Sequence, residues 1–152
     1  MSNFKYIKNI AKKNSFIFEH YPSAYRLPVI TCIEASFARG VALSQELKHI
    51  VINSSFDEHV VHVLGDKRVS LRKVEKILNV QNLKLSNLKP SMHRGKISPF
   101  IDPFWSMLNL IDANVLQKKW LTTNDGTLRG YIKFSPKLLL QMPNIEIGDF
   151  AK

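Results

Sequence analysis

The sequence is poor in the residues and segments that mark several classes of protein. Its 152 residues include one cysteine, Cys32, which excludes an intramolecular disulfide framework and a metal site built from cysteines alone. No apolar run approaches the roughly 20 residues that span a bilayer. The N-terminus lacks the long apolar core of a secretory signal peptide. These absences predict a cytoplasmic protein with no membrane partner.

Common catalytic and cofactor motifs are also missing. The chain contains no G-x-S-x-G elbow, no phosphate-binding G-x-x-x-x-G-K-[ST] loop, no G-x-G-x-x-G fingerprint and no H-E-x-x-H zinc motif. Its five histidines show no spacing typical of a metal site, and His59 and His62 fall on opposite faces of a predicted strand. We therefore expect no metal and no cofactor, and we interpret Cys32 as a small buried residue rather than a nucleophile.

What the chain does have is an ordinary globular composition with an excess of positive charge. Hydrophobic residues make up 45% and charged residues 22%, which indicates a folded domain and excludes disorder. Lysine and arginine number 22 against 12 acidic residues, so the net charge is +10. A small domain this basic often binds polyanions, although a compositional bias on a solvated surface gives the same excess.

Three helices are predicted from periodicity and capping signals. Residues Asn3–Lys13 form an amphipathic pattern with several lysines on the outer faces. Thr31 and Glu34 match a capping box, and the helix they open should end near Gly40. Ser70 is placed to cap a third helix over Leu71–Leu78.

Short strands fill most of the remaining chain. Ile50–Ile52 and Val60–Leu64 are β-branched runs on either side of a polar turn, which predicts a hairpin. A second hairpin is predicted around Asn124–Thr127, between Trp120-Leu121 and Gly130–Phe134. Further strands are expected at Phe16–Phe18, Asn82–Leu85, Trp105–Ile111 and Asn144–Ile147, and Ser135-Pro136 should cap and open a short helix through Leu140. The order predicts a single α+β domain over residues 1–152, with a mixed, largely antiparallel sheet or partial barrel flanked by helices.

Two features remain as candidates for chemistry. Lys48 stands at the entry to the Ile50–Ile52 strand, and Gly95 and Pro99 spell G-x-x-x-P inside an irregular segment, Lys89–Pro103. Such a segment is too long for a simple turn, which is typical of a functional loop. Each feature alone is weak, because a lysine at a strand start is usually a solvated charge.

Taken together and in this order, the motifs resemble the YbaK/prolyl-tRNA-synthetase-associated domain family. The resemblance covers residues 28–152. It rests on Lys48 with its strand, on the strand–turn–helix around Gly65-Asp66, and on Gly95–Phe100, which is similar to the family's G-x-x-x-P-F loop. Later positions of the family's sequence pattern are matched by Asp112, Gly126 and Ser135-Pro136. The sequence departs from the family at Pro90-Ser91, where many members carry Thr-Gly.

The resemblance implies an editing domain that hydrolyses the ester of mischarged aminoacyl-tRNA, with water as nucleophile and the substrate's ribose 2′-hydroxyl assisting. It implies Lys48 and Gly95 as the catalytic positions. The implied binding partners are an aminoacyl-tRNA and, as a second partner, an aminoacyl-tRNA synthetase. The implied substrate-binding residues are His20, Tyr21, Ser98, Pro99 and Phe100. The basic side chains that would hold the acceptor stem by phosphate contacts are Lys67, Arg68, Arg72, Lys73, Arg94 and Lys96.

Two other functions fit the same sequence. A domain of this fold could bind tRNA or a synthetase without hydrolysing anything, which the high charge also favours. A nucleic-acid-binding protein unrelated to editing is a third alternative, against which stands the lack of helix-turn-helix, zinc-finger or aromatic RNP-like patterns. The amino acid removed, among cysteine, alanine, serine and proline, and the oligomeric state are left open.

Overall fold

The computed structural model describes residues 3–54, 57–86 and 96–152. Its helices are α1 (Phe4–Asn14), α2 (Cys32–Arg39) and α3 (Leu71–Leu78). Its strands are β1 (Phe18–Tyr21), β2 (Leu47–Asn53), β3 (Glu58–Leu64), β4 (Lys84–Leu85), β5 (Leu108–Asp112), β6 (Leu121–Asn124), β7 (Tyr131–Phe134) and β8 (Ile145–Gly148). Short 3₁₀ turns lie at Leu43–Gln45, Phe104–Ser106, Ala113–Gln117 and Pro136–Gln141.

The strands form two open sheets that share one short junction. One sheet has the order β1-β7-β6 and is antiparallel throughout. The other has the order β4-β2-β3-β5-β8, in which β2 pairs antiparallel with β3 and β4. A parallel bridge between Glu46 and Thr122 joins the two sheets at the start of β2. The predicted α+β class is therefore confirmed, with open sheets rather than a closed barrel.

Parallel pairing within the larger sheet goes beyond the sequence prediction. β3 pairs parallel with β5, and β5 pairs parallel with β8. The chain reaches β5 from β3 by a crossover that contains α3, as parallel neighbours require. The domain is mixed, and its parallel part is larger than the hairpin signals indicated.

The core lies on both faces of the larger sheet. Between the two sheets, Leu47, Ile111 and Phe134 are buried with the inner residues of α1, Ile7 and Ala11. On the opposite face, Val74 of α3 packs in a second cluster of buried side chains. Its other members are Ile52, Val61, Val63, Leu83, Leu110, Phe150 and Ala151. The sheet is thus enclosed on two sides, and its side chains alternate between its two faces. Val51 and Val60 form a third, smaller cluster with Phe104.

Helix boundaries follow the predicted caps. The Thr31 hydroxyl accepts a hydrogen bond from the Glu34 backbone amide, and the Glu34 carboxylate accepts one from the Thr31 amide, which completes the capping box. Gly40 ends α2 in the left-handed conformation. The Ser70 hydroxyl accepts from the Lys73 amide and opens α3.

Two predicted strand boundaries are corrected. β1 spans Phe18–Tyr21 rather than Phe16–Phe18, because left-handed Ser15 closes α1 and the Phe16 amide bonds back to the Ala11 carbonyl. β5 begins at Leu108 rather than Trp105, because Phe104–Ser106 form a 3₁₀ turn.

The short helix predicted after β7 is present, as a 3₁₀ turn that begins at Pro136. It spans Pro136–Gln141, and the Ser135 side chain accepts no capping hydrogen bond from its backbone amides. Three of its residues, Pro136, Leu138 and Leu139, are buried, so packing decides its conformation more than the cap does.

Candidate active site

Lys48 is the second residue of β2 and lies opposite Val63 of β3. Ile50, on the same face of the strand, packs against the cluster beneath α3. Cys32, at the start of α2, lies close enough that the Lys48 charge lowers its pKa, although burial makes the net shift of that thiol upward. Lys48 is therefore half-buried on the face of β2 that α2 and α3 flank.

The ammonium of Lys48 has no hydrogen-bond or ion-pair partner within the described part of the chain. The same holds for half-buried Lys96 and Lys118, whereas Arg39 and Lys73 have carboxylate partners. A half-buried lysine packs its methylene stem against the protein and keeps its ammonium in water, where a ligand can reach it. This arrangement suits an anionic or strongly polar group of a bound molecule.

Of the predicted G-x-x-x-P loop, the structure describes Lys96 onwards, and Gly95 lies outside the described residues. The Ile97 carbonyl accepts a hydrogen bond from Nδ2 of Asn124 at 2.6 Å, which ties the loop to the end of β6. Ser98 is fully buried, and its hydroxyl has no hydrogen-bond partner among the described residues. A buried hydroxyl without a partner is costly unless a ligand or water completes it.

Pro99 and Phe100 have different surroundings from those implied by a substrate contact. Both are buried, and the Phe100 ring lies edge-on to Phe18 and Phe134 at centroid distances of 6.1 and 5.1 Å. The Phe100 carbonyl accepts the Asn3 amide at 2.9 Å. Phe100 thus anchors the loop in the core, and its side chain offers no exposed surface to a substrate.

His20 and Tyr21 are adjacent on β1 and make separate sets of contacts. His20 donates from Nε2 to Oδ2 of Asp125 at 2.9 Å and packs against the Phe4 ring. Tyr21 stacks on Tyr131 at a centroid distance of 4.8 Å and donates to the Glu19 carboxylate. Within the described residues, no hydrogen bond, ion pair or ring contact joins Lys48 to His20, Tyr21 or the segment 96–100.

The turn between β6 and β7 holds both the loop and His20. Oδ1 of Asp125 accepts from the Thr127 amide at 3.0 Å and from the Thr127 hydroxyl at 2.6 Å. Oδ1 of Asn124 accepts the Gly126 amide at 2.8 Å, while its Nδ2 reaches the loop. Side-chain hydrogen bonds therefore fix this turn, and the turn links β6, β1 and the G-x-x-x-P segment.

A buried ion pair near the sheet junction was not predicted from the sequence. Arg39, near the end of α2, pairs with the Glu46 carboxylate and donates to the Tyr25 hydroxyl at 2.7 Å. Its guanidinium also lies over the Tyr131 ring. Burial raises the pKa of Glu46, and the Arg39 charge acts in the opposite direction. The pair joins α2 to the start of β2, next to Lys48.

A second missed feature is a chain of buried polar groups between the sheets. His49 and His62 are cross-strand partners, and their Nδ1 atoms lie 2.7 Å apart. Nε2 of His49 contacts the Thr123 hydroxyl at 2.5 Å, and Nε2 of His62 contacts Oδ1 of Asn109 at 2.7 Å. Burial lowers the pKa of both histidines, to about 4 for His62. The sequence shows two histidines 13 residues apart, and their pairing depends on the strand register.

The predicted phosphate-binding residues lie mainly around the β3–α3 turn. Lys67, Arg68 and Arg72 are exposed, and Lys96 is half-buried beside the loop. Lys73 instead donates to Asp149 at 3.0 Å and to the Ala151 carbonyl at 2.6 Å, so it ties α3 to the C-terminal segment. Arg94 lies outside the described residues.

No cluster of three or more histidine, cysteine or acidic side chains with metal-binding geometry occurs in residues 3–54, 57–86 and 96–152. In the same ranges, no helix has the length and hydropathy to cross a membrane.

Comparison with solved structures finds this fold in other proteins. A hypothetical protein matches with a TM-score of 0.77 at 18% identity, over 96% of this chain and 99% of that one. A scaffold protein from a computational epitope-grafting study matches with a TM-score of 0.72 at 18% identity, over 99% and 97%. A protein proposed to be a trans-editing enzyme for prolyl-tRNA synthetase matches with a TM-score of 0.70 at 18% identity, over 100% and 99%. The chain has the fold of that protein.

Sequence comparison adds no assignment. No protein-family model matches the chain, and no curated protein matches it. At 18% identity, the structural likeness shows the fold alone. The function must therefore be argued from the residues of this chain.

Proposed function

We propose that this protein is a free-standing aminoacyl-tRNA deacylase that hydrolyses the ester of mischarged tRNA. The observation that carries the proposal is Lys48, a half-buried cation with no bonding partner among the described residues, at the position where the editing-domain resemblance expects its lysine. The shared fold supports the proposal, because a structural neighbour is itself proposed to be a trans-editing enzyme.

The chemistry of ester hydrolysis suits these groups. Attack of water on the ester places negative charge on the former carbonyl oxygen, and donors fixed in advance near that oxygen give most of the catalytic effect. Lys48 would supply a positive charge for the ester or the neighbouring phosphate. Gly95 would allow backbone amides to approach the substrate closely, because glycine has no Cβ. The ribose 2′-hydroxyl of the substrate would assist the water.

The described part of the loop, residues 96–100, is held at two points. Asn124 holds the Ile97 carbonyl, and the burial of Pro99 and Phe100 fixes the end of the loop in the core. The unpartnered Ser98 hydroxyl lies between these anchors, but Ser98 is as fully buried as Phe100, so it contacts no aminoacyl group in this conformation. Exposed Lys67, Arg68 and Arg72 would contact the phosphates of the acceptor stem.

A non-catalytic binding module is the second candidate function. The net charge of +10 favours it, because binding to tRNA by phosphate neutralisation requires no catalytic group. Such a module would bind tRNA with a strong dependence on salt and leave the ester intact.

The role of Lys48 is tested by comparing deacylation rates of the wild type with Lys48→Ala and Lys48→Arg. Loss of one electrostatic donor to the transition state typically costs about 10²–10³-fold in rate, so we expect Lys48→Ala to fall by that amount and Lys48→Arg to retain more activity. Lys119→Ala, which removes an exposed lysine outside the site, is the matched control. Normal rates for both Lys48→Ala and Gly95→Ala would contradict the assignment.

A further inference from the structure

Asp125 holds His20 in one orientation and in one tautomer. The Asp125 side chain is 5% exposed, whereas that of His20 is 31% exposed. Thr127 saturates Oδ1 of Asp125, which leaves Oδ2 for the His20 ring at 2.9 Å. Because a carboxylate accepts hydrogen bonds, Nε2 of His20 must be the protonated nitrogen. The edge of the ring is fixed by Phe4, at a centroid distance of 5.0 Å.

The other ring nitrogen is left available. In a neutral imidazole whose Nε2 carries the proton, Nδ1 bears a lone pair and can accept a proton. No described residue makes a hydrogen bond to Nδ1 of His20. A buried carboxylate that orients a partly exposed histidine is the arrangement in which histidine serves as a general base.

Two separate sets of contacts place His20 beside the G-x-x-x-P segment. Asn124, the residue before Asp125, bonds to the Ile97 carbonyl at 2.6 Å. On the other side, the Phe4 ring touches both His20 and Phe18, and Phe18 lies edge-on to Phe100 of the loop. His20 is thus adjacent to the segment that contains the unpartnered Ser98 hydroxyl.

We propose that His20 and Asp125 form the proton-accepting dyad of this site, an inference that rests on the proposed deacylase function. Nδ1 of His20 takes one proton from water as the water oxygen bonds to the ester carbonyl carbon. The tetrahedral adduct then breaks its bond to the ribose oxygen, which takes the proton back from Nδ1. The products are the free amino acid and the tRNA, and His20 returns to its starting state. Asp125 is a positioning residue that acts through His20.

The alternative is that the pair only stabilises the turn. A partly exposed hydrogen bond of this kind contributes about 1 kcal/mol to folding, and its loss would not be repaired by a small base in solution. A general base, in contrast, contributes about 10²–10⁴-fold to the rate, and added imidazole can replace it in a variant with space at that position. Imidazole rescue therefore separates the two roles.

The test measures hydrolysis of aminoacyl-tRNA and of the p-nitrophenyl ester of alanine by wild type, His20→Ala, Asp125→Asn and Glu19→Gln. Glu19→Gln changes the exposed neighbour of His20 and serves as the control. We expect His20→Ala to lose at least about 10²-fold in rate on both esters, to regain activity with added imidazole, and to unfold at the wild-type urea concentration. Asp125→Asn should lose activity too, and the double variant should be no slower than His20→Ala.

The outcomes separate this inference from the proposed function. If the wild type hydrolyses aminoacyl-tRNA and His20→Ala does so equally fast, the dyad is wrong and the deacylase function stands. If His20→Ala is slow but imidazole restores nothing, the dyad is also wrong, because the residue is then structural. If the wild type hydrolyses the p-nitrophenyl ester through His20 but no aminoacyl-tRNA, the dyad is right and the tRNA substrate is wrong. If the wild type hydrolyses neither ester, both the dyad and the deacylase function are wrong.

Discussion

At the scale of single residues, the amide of Asn109 sets the protonation of buried His62 and of its half-buried partner His49. Its Nδ2 donates to the carbonyls of Phe104 and Met107 at 3.0 and 2.8 Å, so its Oδ1 must face His62. Nε2 of His62 therefore donates, its Nδ1 accepts from His49, and Nε2 of His49 accepts from the Thr123 hydroxyl. When both imidazole rings are neutral, each hydrogen bond from Asn109 through the two histidines to Thr123 has one donor and one acceptor.

This neutral pair predicts a loss of stability in mild acid. The pKa of His62 is lowered from its ordinary 6.5 to about 4, and that of His49 is also lowered. The unfolded chain therefore binds protons that the folded chain does not, and the stability present above pH 6.5 is lost as the pH falls toward 4. For His62 alone the loss is on the order of 3 kcal/mol.

Urea unfolding between pH 7.5 and 4 measures this effect. His62→Gln should be less stable than the wild type at pH 7.5 but should show a flatter dependence on pH below 6.5. An identical pH dependence in the two proteins would contradict the account of this pair.

At the scale of elements, Gly65 shows how the β3–α3 turn is built. A Cβ at this position would lie 2.6 Å from the Leu43 carbonyl oxygen and 2.8 Å from Cβ of Glu46. The Gly65 amide also donates to the Glu46 carbonyl at 2.8 Å. The turn therefore presses directly on the backbone that leads into β2 and Lys48, which explains why glycine stands in this motif.

We predict that Gly65→Ala lowers the free energy of unfolding by about 1–3 kcal/mol, since backbone atoms cannot move aside easily. Gly148→Ala is the matched comparison, because its Cβ would meet side-chain atoms of Ile77 and Phe150 at 3.0 Å. These can shift, and we expect a loss below about 1 kcal/mol. Chemical denaturation of both variants measures the difference, and a larger loss in Gly148→Ala would refute this interpretation.

The capping box of α2 gives a second prediction for an element. Thr31→Ala removes the hydroxyl that accepts the Glu34 amide at 3.1 Å, and loss of such a cap typically costs about 1 kcal/mol. Thr31→Ser keeps the hydroxyl and should stay close to the wild type. Thermal unfolding of the two variants provides the measurement, and equal melting temperatures would argue against the cap.

Elements that are fixed by neighbouring residues, such as turns and helix caps, could be predicted from the sequence. Strand pairings between distant segments could not. The hairpin of β6 and β7 follows from Asn124–Thr127, whose side chains build the turn themselves. The parallel pairing of β5 has no local signal, because it depends on a crossover through α3. β1 extends over polar residues Glu19–Tyr21 because β7 pairs with them, which the sequence does not show.

At the scale of the whole molecule, the residues proposed for the site come from distant parts of the chain. Lys48 and the G-x-x-x-P loop were singled out because their residue types stand out in sequence. The sequence does not show the three side-chain pairs, because each forms only through tertiary contacts: Arg39–Glu46, His49–His62 and His20–Asp125. His20 and Asp125, for example, are 105 residues apart. The net positive charge, by contrast, is a property of composition and needs no structure.

The charge leads to a prediction for tRNA binding. If exposed Lys67 and Arg68 contact phosphates, then Lys67→Gln and Arg68→Gln should each weaken binding and lower the slope of log K against log salt by about one. Lys8→Gln, on the outer face of α1, is the control and should leave the slope unchanged. Fluorescence anisotropy with labelled tRNA at several salt concentrations gives these slopes. Unaltered slopes in both variants would place the tRNA contact elsewhere.

The central claim is that the protein breaks the ester of aminoacyl-tRNA. The most direct measurement is loss of label from tRNA charged with radiolabelled cysteine, alanine, serine or proline, in the presence of purified wild-type protein. The account predicts rapid loss from at least one of the four and intact esters on the others. Intact esters throughout, together with tight and salt-sensitive tRNA binding, would contradict it and identify a binding module of the same fold.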